Sequence, residues 1–95
     1  FNAEATEPRV AAVLHDPVSG RTLTLATTLP GLQIYTGNFV GEEHGKNGHA
    51  YHGRESVALE PQYYPSNLAR PGFEKAVFGP LKPYCAVNEY RFSAR

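Results

Sequence analysis

Glu60 is the residue of this chain whose type and setting most directly suit acid–base chemistry. It stands in Val57-Ala58-Leu59-Glu60-Pro61-Gln62, a mostly apolar run interrupted by proline. A carboxylate there either faces solvent at a strand end or points into a polar cavity, where partial desolvation would tune it as a general base. The second candidate lies in Pro30-Gly31-Leu32-Gln33-Ile34-Tyr35-Thr36-Gly37-Asn38-Phe39. In an extended segment Gln33 and Tyr35 share one face, and Leu32, Ile34 and Thr36 share the other. An amide beside an aromatic ring suits the hydroxyls and apolar C–H patches of a sugar. The same pattern also describes a strand whose ring packs inward while its amide meets water.

Other reactive side chains give weaker patterns. His44, His49 and His52 cluster in one loop, but glycines separate them and no cysteine or acidic ligand stands at a characteristic spacing, so no metal site is expected. Gly45-Lys46-Asn47-Gly48 reads as a turn, because the other glycine and the Ser/Thr of a phosphate loop are missing. A single cysteine, Cys85, excludes an internal disulfide framework. It fits a reducing compartment, and the expected location is cytoplasmic.

Bulk properties narrow the classes further. Ninety-five residues suffice for one domain, and a chain of this size buries only about two-thirds of its unfolded surface. Nine basic residues balance nine acidic ones, which leaves no electrostatic footprint for nucleic acid or an anionic membrane. No apolar run approaches the ~20 residues of a membrane span. The opening Phe1-Asn2-Ala3-Glu4-Ala5 lacks the basic start and apolar stretch of a signal peptide. It also lacks a methionine, so the chain is expected to be a piece of a longer protein.

The elements that must hold these residues read as strands. Eight prolines and nine glycines leave no room for a long helical stripe. Val10, Ala12 and Leu14 alternate with less apolar neighbours, as do Leu23 and Leu25 with Thr22 and Thr24. Between them Asp16-Pro17-Val18-Ser19-Gly20 carries turn chemistry, so residues 9–28 predict a β-hairpin. Short strands are expected over 32–36 and 56–62, separated by a glycine-rich loop over 41–55 with a tight turn at Asn47-Gly48. Pro65, Pro71, Pro80 and Pro83, with Pro61 just before them, predict an irregular surface loop over 64–83. Alternation of Asn88, Tyr90 and Phe92 marks a final strand. The whole reads as all-β: an antiparallel sandwich or part of one.

Three blocks together resemble the aldose 1-epimerase (galactose mutarotase) family. Thr28-Leu29-Pro30-Gly31-Leu32-Gln33-Ile34-Tyr35-Thr36-Gly37-Asn38-Phe39 is similar to the family's "PGxQFYTGNF" strand. Gly45-Lys46-Asn47-Gly48 with Tyr51 resembles its "GKxGxxY" loop, and Val57 to Gln62 followed by Tyr64-Pro65 resembles "xxLExQxxPD". The match runs from about residue 9 onward, in the family's order and spacing. Ile34 stands where phenylalanine is usual, Ser66 replaces an aspartate, and the late "PGE" turn appears as Pro83-Tyr84-Cys85.

The resemblance implies a galactose mutarotase-like supersandwich, of which residues 1–95 would be the C-terminal segment. It implies interconversion of the α and β anomers of aldohexoses such as galactose and glucose, without a cofactor. Glu60 matches the family's catalytic base and Gln33 its sugar-contacting glutamine. The family's general-acid histidine, and further sugar-binding histidine, arginine and aspartate, belong to motifs that these residues do not contain. None of His15, His44, His49 and His52 sits in the acid motif. The chain alone is therefore expected to be inactive, and to associate with the missing portion or with itself. The competing readings are a non-catalytic carbohydrate-binding β module, a truncated relative, or a segment that merely completes a sandwich.

Overall fold

The structure is a computed structural model that describes residues 3–41 and 43–95, without the side chain of Glu43. Phe1 and Asn2 of the opening segment, and residue 42 of the glycine-rich loop, lie outside the described residues. The described chain is all-β and antiparallel. Strands β1 (Arg9–His15) and β2 (Arg21–Thr27) form the expected hairpin, and β7 (Asn88–Ala94) adds to β2 to complete a sheet ordered β1-β2-β7. Strands β3 (Gly31–Tyr35) and β6 (Ala58–Gln62) form a separate ladder, and the two-residue strands β4 (Glu43–His44) and β5 (Ala50–Tyr51) form a third. Among the described residues no helix is long and apolar enough to cross a membrane.

The hairpin turn follows from its residues. Asp16 accepts hydrogen bonds from the backbone N–H groups of Val18 (3.0 Å) and Ser19 (3.2 Å), with Ser19 Oγ also donating to it. Those donors hold the Asp16 carboxyl below its usual range, the Ser19 hydroxyl first. Gly20 then takes φ +71°, and a Cβ there would lie 2.0 Å from the Arg95 carbonyl oxygen, so only glycine fits where the chain end crosses.

One sequence expectation needs correction. A β-bulge at residue 11 pairs Val10 with Ala26 but Ala12 with Leu25, so Val10 does not share the face of Ala12 and Leu14. Val10 is accordingly exposed. Alternation cannot reveal an inserted residue, because the composition stays the same when the phase shifts. The loop expected over 41–55 also holds the short β4–β5 ladder, and the tight turn expected at Asn47-Gly48 is present. Asn47 (φ 57°) and Gly48 (φ 72°) are left-handed in a turn closed by the His49 N–H to the Lys46 carbonyl (3.2 Å), and beyond it His44 pairs with Ala50.

The core is thin and continuous in sequence. Residues 25–31, from the end of β2 into β3, are all buried, and the enclosed apolar side chains Leu25, Ala26, Leu29 and Pro30 all lie in this stretch. Two threonines in this stretch serve the backbone: Thr27 Oγ1 accepts the Leu29 N–H (3.0 Å), and Thr28 Oγ1 accepts the Val87 N–H (3.0 Å). The radius of gyration is 16.6 Å, well above the ~12 Å of a compact domain of this length.

The register explains that extension. Ala12, Leu14, Leu23, Leu25, Tyr90 and Phe92 fall on one face of the β1-β2-β7 sheet. Leu25 is covered, but Phe92 remains 78% exposed, and Leu14, Leu23 and Phe92 line an open groove of about 690 Å³. Water against such a face is unfavourable at ~25 cal/mol per Å². The 95-residue chain on its own is therefore expected to self-associate, with light scattering reporting a mass that rises with concentration. Phe92→Ser should reduce the rise, whereas a monomer at all concentrations would contradict this account.

Candidate functional site

The β3–β6 ladder brings the two sequence-predicted site residues together. Its register is Gly31 with Gln62, Leu32 with Pro61, Gln33 with Glu60, Ile34 with Leu59 and Tyr35 with Ala58. Directly opposed residues of an antiparallel pair share a face, with Cβ atoms ~4.5–5.5 Å apart. Gln33 and Glu60 are thus immediate cross-strand neighbours. Tyr35 and Ala58 flank them on one side, Gly31 and Gln62 on the other. The opposite face carries Leu32, Ile34, Leu59 and Pro61. Among the described residues β6 pairs on one side only, which accommodates a proline within it.

Both Gln33 and Glu60 are exposed, and among the described residues neither side chain is spent on a hydrogen bond. The pair offers an amide, with donor and acceptor, beside an acceptor-only carboxylate. Tyr35 shares their face. Its ring is half-buried, and its hydroxyl accepts the Phe39 N–H at 2.9 Å. Its phenol is thus engaged with the turn that follows β3. The small Ala58 opposite keeps that end of the ladder open.

The turn after β3 joins the strand to the segment preceding β6. Gly37 (φ +72°) would place a Cβ 3.0 Å from Ser56 Oγ, and its carbonyl accepts the Arg54 N–H at 3.1 Å. Arg54 itself adopts φ 68°, and its Nε donates to Asn38 Oδ1 at 3.2 Å. The Gly37-Asn38 end of the first motif block is thereby tied to the approach of the third.

The remaining sequence candidates stay apart from the ladder. The Gly45–Tyr51 block closes on itself: the Tyr51 ring lies over Gly45, where a Cβ would come within 1.8 Å, and His49 meets Tyr51 edge-on at 5.0 Å. No hydrogen bond among the described residues links it to β3 or β6. His15 pairs with Thr22 Oγ1 at 2.9 Å on the polar face of the hairpin. Among the described residues no three His, Cys, Asp or Glu side chains gather as a metal site would require. Cys85 is an exposed free thiol.

Sequence reasoning missed the residues that hold the ladder from outside. The proline-rich 64–83 segment contains a stacked pair, Tyr64 with Phe73 at 4.7 Å, and edge-on contacts of Phe78 with Tyr63 and Tyr84. Burial first, and the neighbouring Glu4 carboxylate next, push the Tyr63 phenol far above its usual range, so it stays neutral. Asn67 organises the segment by donating to the Tyr64 carbonyl (2.9 Å) and accepting the Ala76 N–H (2.8 Å). Proline spacing predicts irregular backbone but carries no signal for these contacts.

The class of protein follows from comparison of this chain with known families. A family profile described as aldose 1-epimerase matches residues 1–87, and the chain belongs to that family. Among individual proteins, it is 37% identical to the galactose mutarotase of Mus musculus over 91 residues, covering 95% of this chain and 27% of that protein. It is 38% identical to the galactose mutarotase of Homo sapiens over 88 residues, covering 92% of this chain and 26% of that one. The aldose 1-epimerase of Escherichia coli K12 is 29% identical over 96 residues, covering 99% of this chain and 28% of the bacterial protein. The chain thus spans about a quarter of the length of the curated relatives it matches.

Proposed function

We propose that this chain supplies the base and one sugar-binding group of an aldose mutarotase site, interconverting the α and β anomers of aldohexoses such as galactose and glucose. The observation that supports this reading is the cross-strand pairing of Gln33 with Glu60 on one accessible face. Glu60 takes the proton from the C1 hydroxyl of the pyranose while an acid protonates the ring oxygen. The C1–O5 bond then breaks, leaving an open-chain aldehyde. Rotation about C1–C2 presents the other face of the aldehyde; as O5 attacks C1 its proton returns to the acid, and the proton on Glu60 goes back to the new C1 hydroxyl. Gln33 hydrogen-bonds a sugar hydroxyl, and the edge of Tyr35 offers an apolar surface for ring C–H groups. The acid is a group other than Glu60, because one carboxylate cannot take a proton at O1 and protonate O5 in the same step.

The test is polarimetry of freshly dissolved α-galactose with the full polypeptide expressed from the gene. Acceleration over the spontaneous rate supports the proposal. A protein that binds the sugar without acceleration would instead be a carbohydrate-binding relative. Gln33→Ala is expected to raise KM about tenfold with a smaller change in kcat, since one hydrogen bond to a neutral group contributes ~0.5–1.5 kcal/mol. A KM unchanged by this substitution would remove Gln33 from the binding role.

A further inference from the structure

Among the described residues β3 and β6 pair only with each other, and a ladder of two five-residue strands is marginal by itself. A slip of one residue would send Gln33 and Glu60 to opposite faces. One side chain outside the strands is placed to hold this register. Tyr64 lies two residues beyond the end of β6 and folds back over the start of β3. Its hydroxyl donates to the Pro30 carbonyl at 3.1 Å. Its ring lies so close to Gly31 that a Cβ there would be 3.0 Å from Tyr64 Cε1 and 3.0 Å from the Gln62 carbonyl oxygen. A side chain at residue 31 would have to push the ring or the Gln62 carbonyl back by a few tenths of an ångström, so glycine lets Tyr64 sit close.

The tyrosine is braced in turn. Phe73 stacks on it with an interplanar angle of 29°. Asn67 holds its carbonyl, and Lys75 Nζ donates to the carbonyls of Asn67 and Arg70. Pro30 and Gly31 belong to the buried 25–31 stretch, so the anchor point is itself fixed.

We infer that Tyr64 is a positioning residue that locks the β3–β6 register, and through it the Gln33–Glu60 pair, by clamping Pro30-Gly31. The inference rests on the proposed roles of Gln33 and Glu60. It differs from a general stabilising role because it acts through Glu60. A base displaced by a fraction of an ångström loses rate while substrate binding is largely kept.

The decisive experiment compares Tyr64→Phe, which removes the hydroxyl and keeps the ring, in the wild-type and Glu60→Gln forms of the full gene product. The expected result is a fall in kcat of about tenfold, KM within about twofold, an unchanged folded spectrum, and no further fall in the Glu60→Gln background. An unchanged kcat, or the same fall in both backgrounds, would overturn the inference. Wild-type activity in Glu60→Gln would instead sink the reading of Glu60. A second measurement does not depend on activity. In a Cys85→Ser background, cysteines replacing Gln33 and Glu60 should cross-link readily on oxidation, as cross-strand neighbours can. Tyr64→Leu should slow that cross-linking severalfold, and equal rates would refute the register lock.

Discussion

Replacing Glu60 by glutamine is expected to lower the mutarotation kcat by about 10²–10⁴-fold with little change in KM. The substitution keeps the volume and hydrogen-bonding reach of the side chain and removes only its capacity to take a proton. That fold-change corresponds to roughly 3–5 kcal/mol in the barrier. Glu60→Asp keeps the base but draws it back by one methylene, so an intermediate loss of about 10² is expected, the cost of misplacing a reacting group by ~1 Å. Glu55→Gln is the control. Glu55 is an exposed carboxylate in the same region, engaged with the His52 N–H at 3.0 Å, and its removal should leave kcat unaffected. Equal losses from Glu55→Gln and Glu60→Gln would mean that the site responds to local negative charge and not to a positioned base.

What was legible in advance divides along a physical line. Local features read correctly: the turn residues Asp16 to Gly20 specify the first hairpin, and alternation marks the strands that became β3, β6 and β7. The faces of Gln33 and Tyr35 follow from a period of two. Long-range pairing was not legible. Nothing in Asn88–Ala94 states that it joins β2, because many alternating strands could fill that edge. The Ala11 bulge was hidden for a similar reason, being one residue that changes phase and not composition. At the site itself, motif blocks pointed to Gln33 and Glu60 separately, and only the register makes them neighbours. The close approach of Tyr64 to Gly31 was invisible because it joins residues 33 positions apart through a fold-dependent contact.

Leu25→Ala is expected to be among the most destabilising single substitutions in the described chain, at about 2–5 kcal/mol. Leu25 has no exposed surface and lies on the central strand, opposite Ala12 on β1 and Tyr90 on β7. Truncation removes its transfer energy and leaves a cavity. The pleated backbone on both sides, held by its hydrogen bonds, has little freedom to collapse into that space. Few other side chains are fully enclosed, so there is little core to redistribute the loss. The buried stretch also continues from Leu25 to Gly31, which couples the three-stranded sheet to the start of the β3–β6 ladder. Loosening at Leu25 should therefore reach Gln33 and Glu60 through the Pro30-Gly31 anchor, lowering activity before global unfolding. Leu23→Ala provides the comparison. It lies on the same face, two residues away, but is only half-buried beside the open groove, so it should cost less than half as much. Denaturant midpoints of the full gene product and its two variants measure the difference. Equal midpoints for the two variants would show that the enclosed stretch at Leu25 is not where the chain's stability is concentrated.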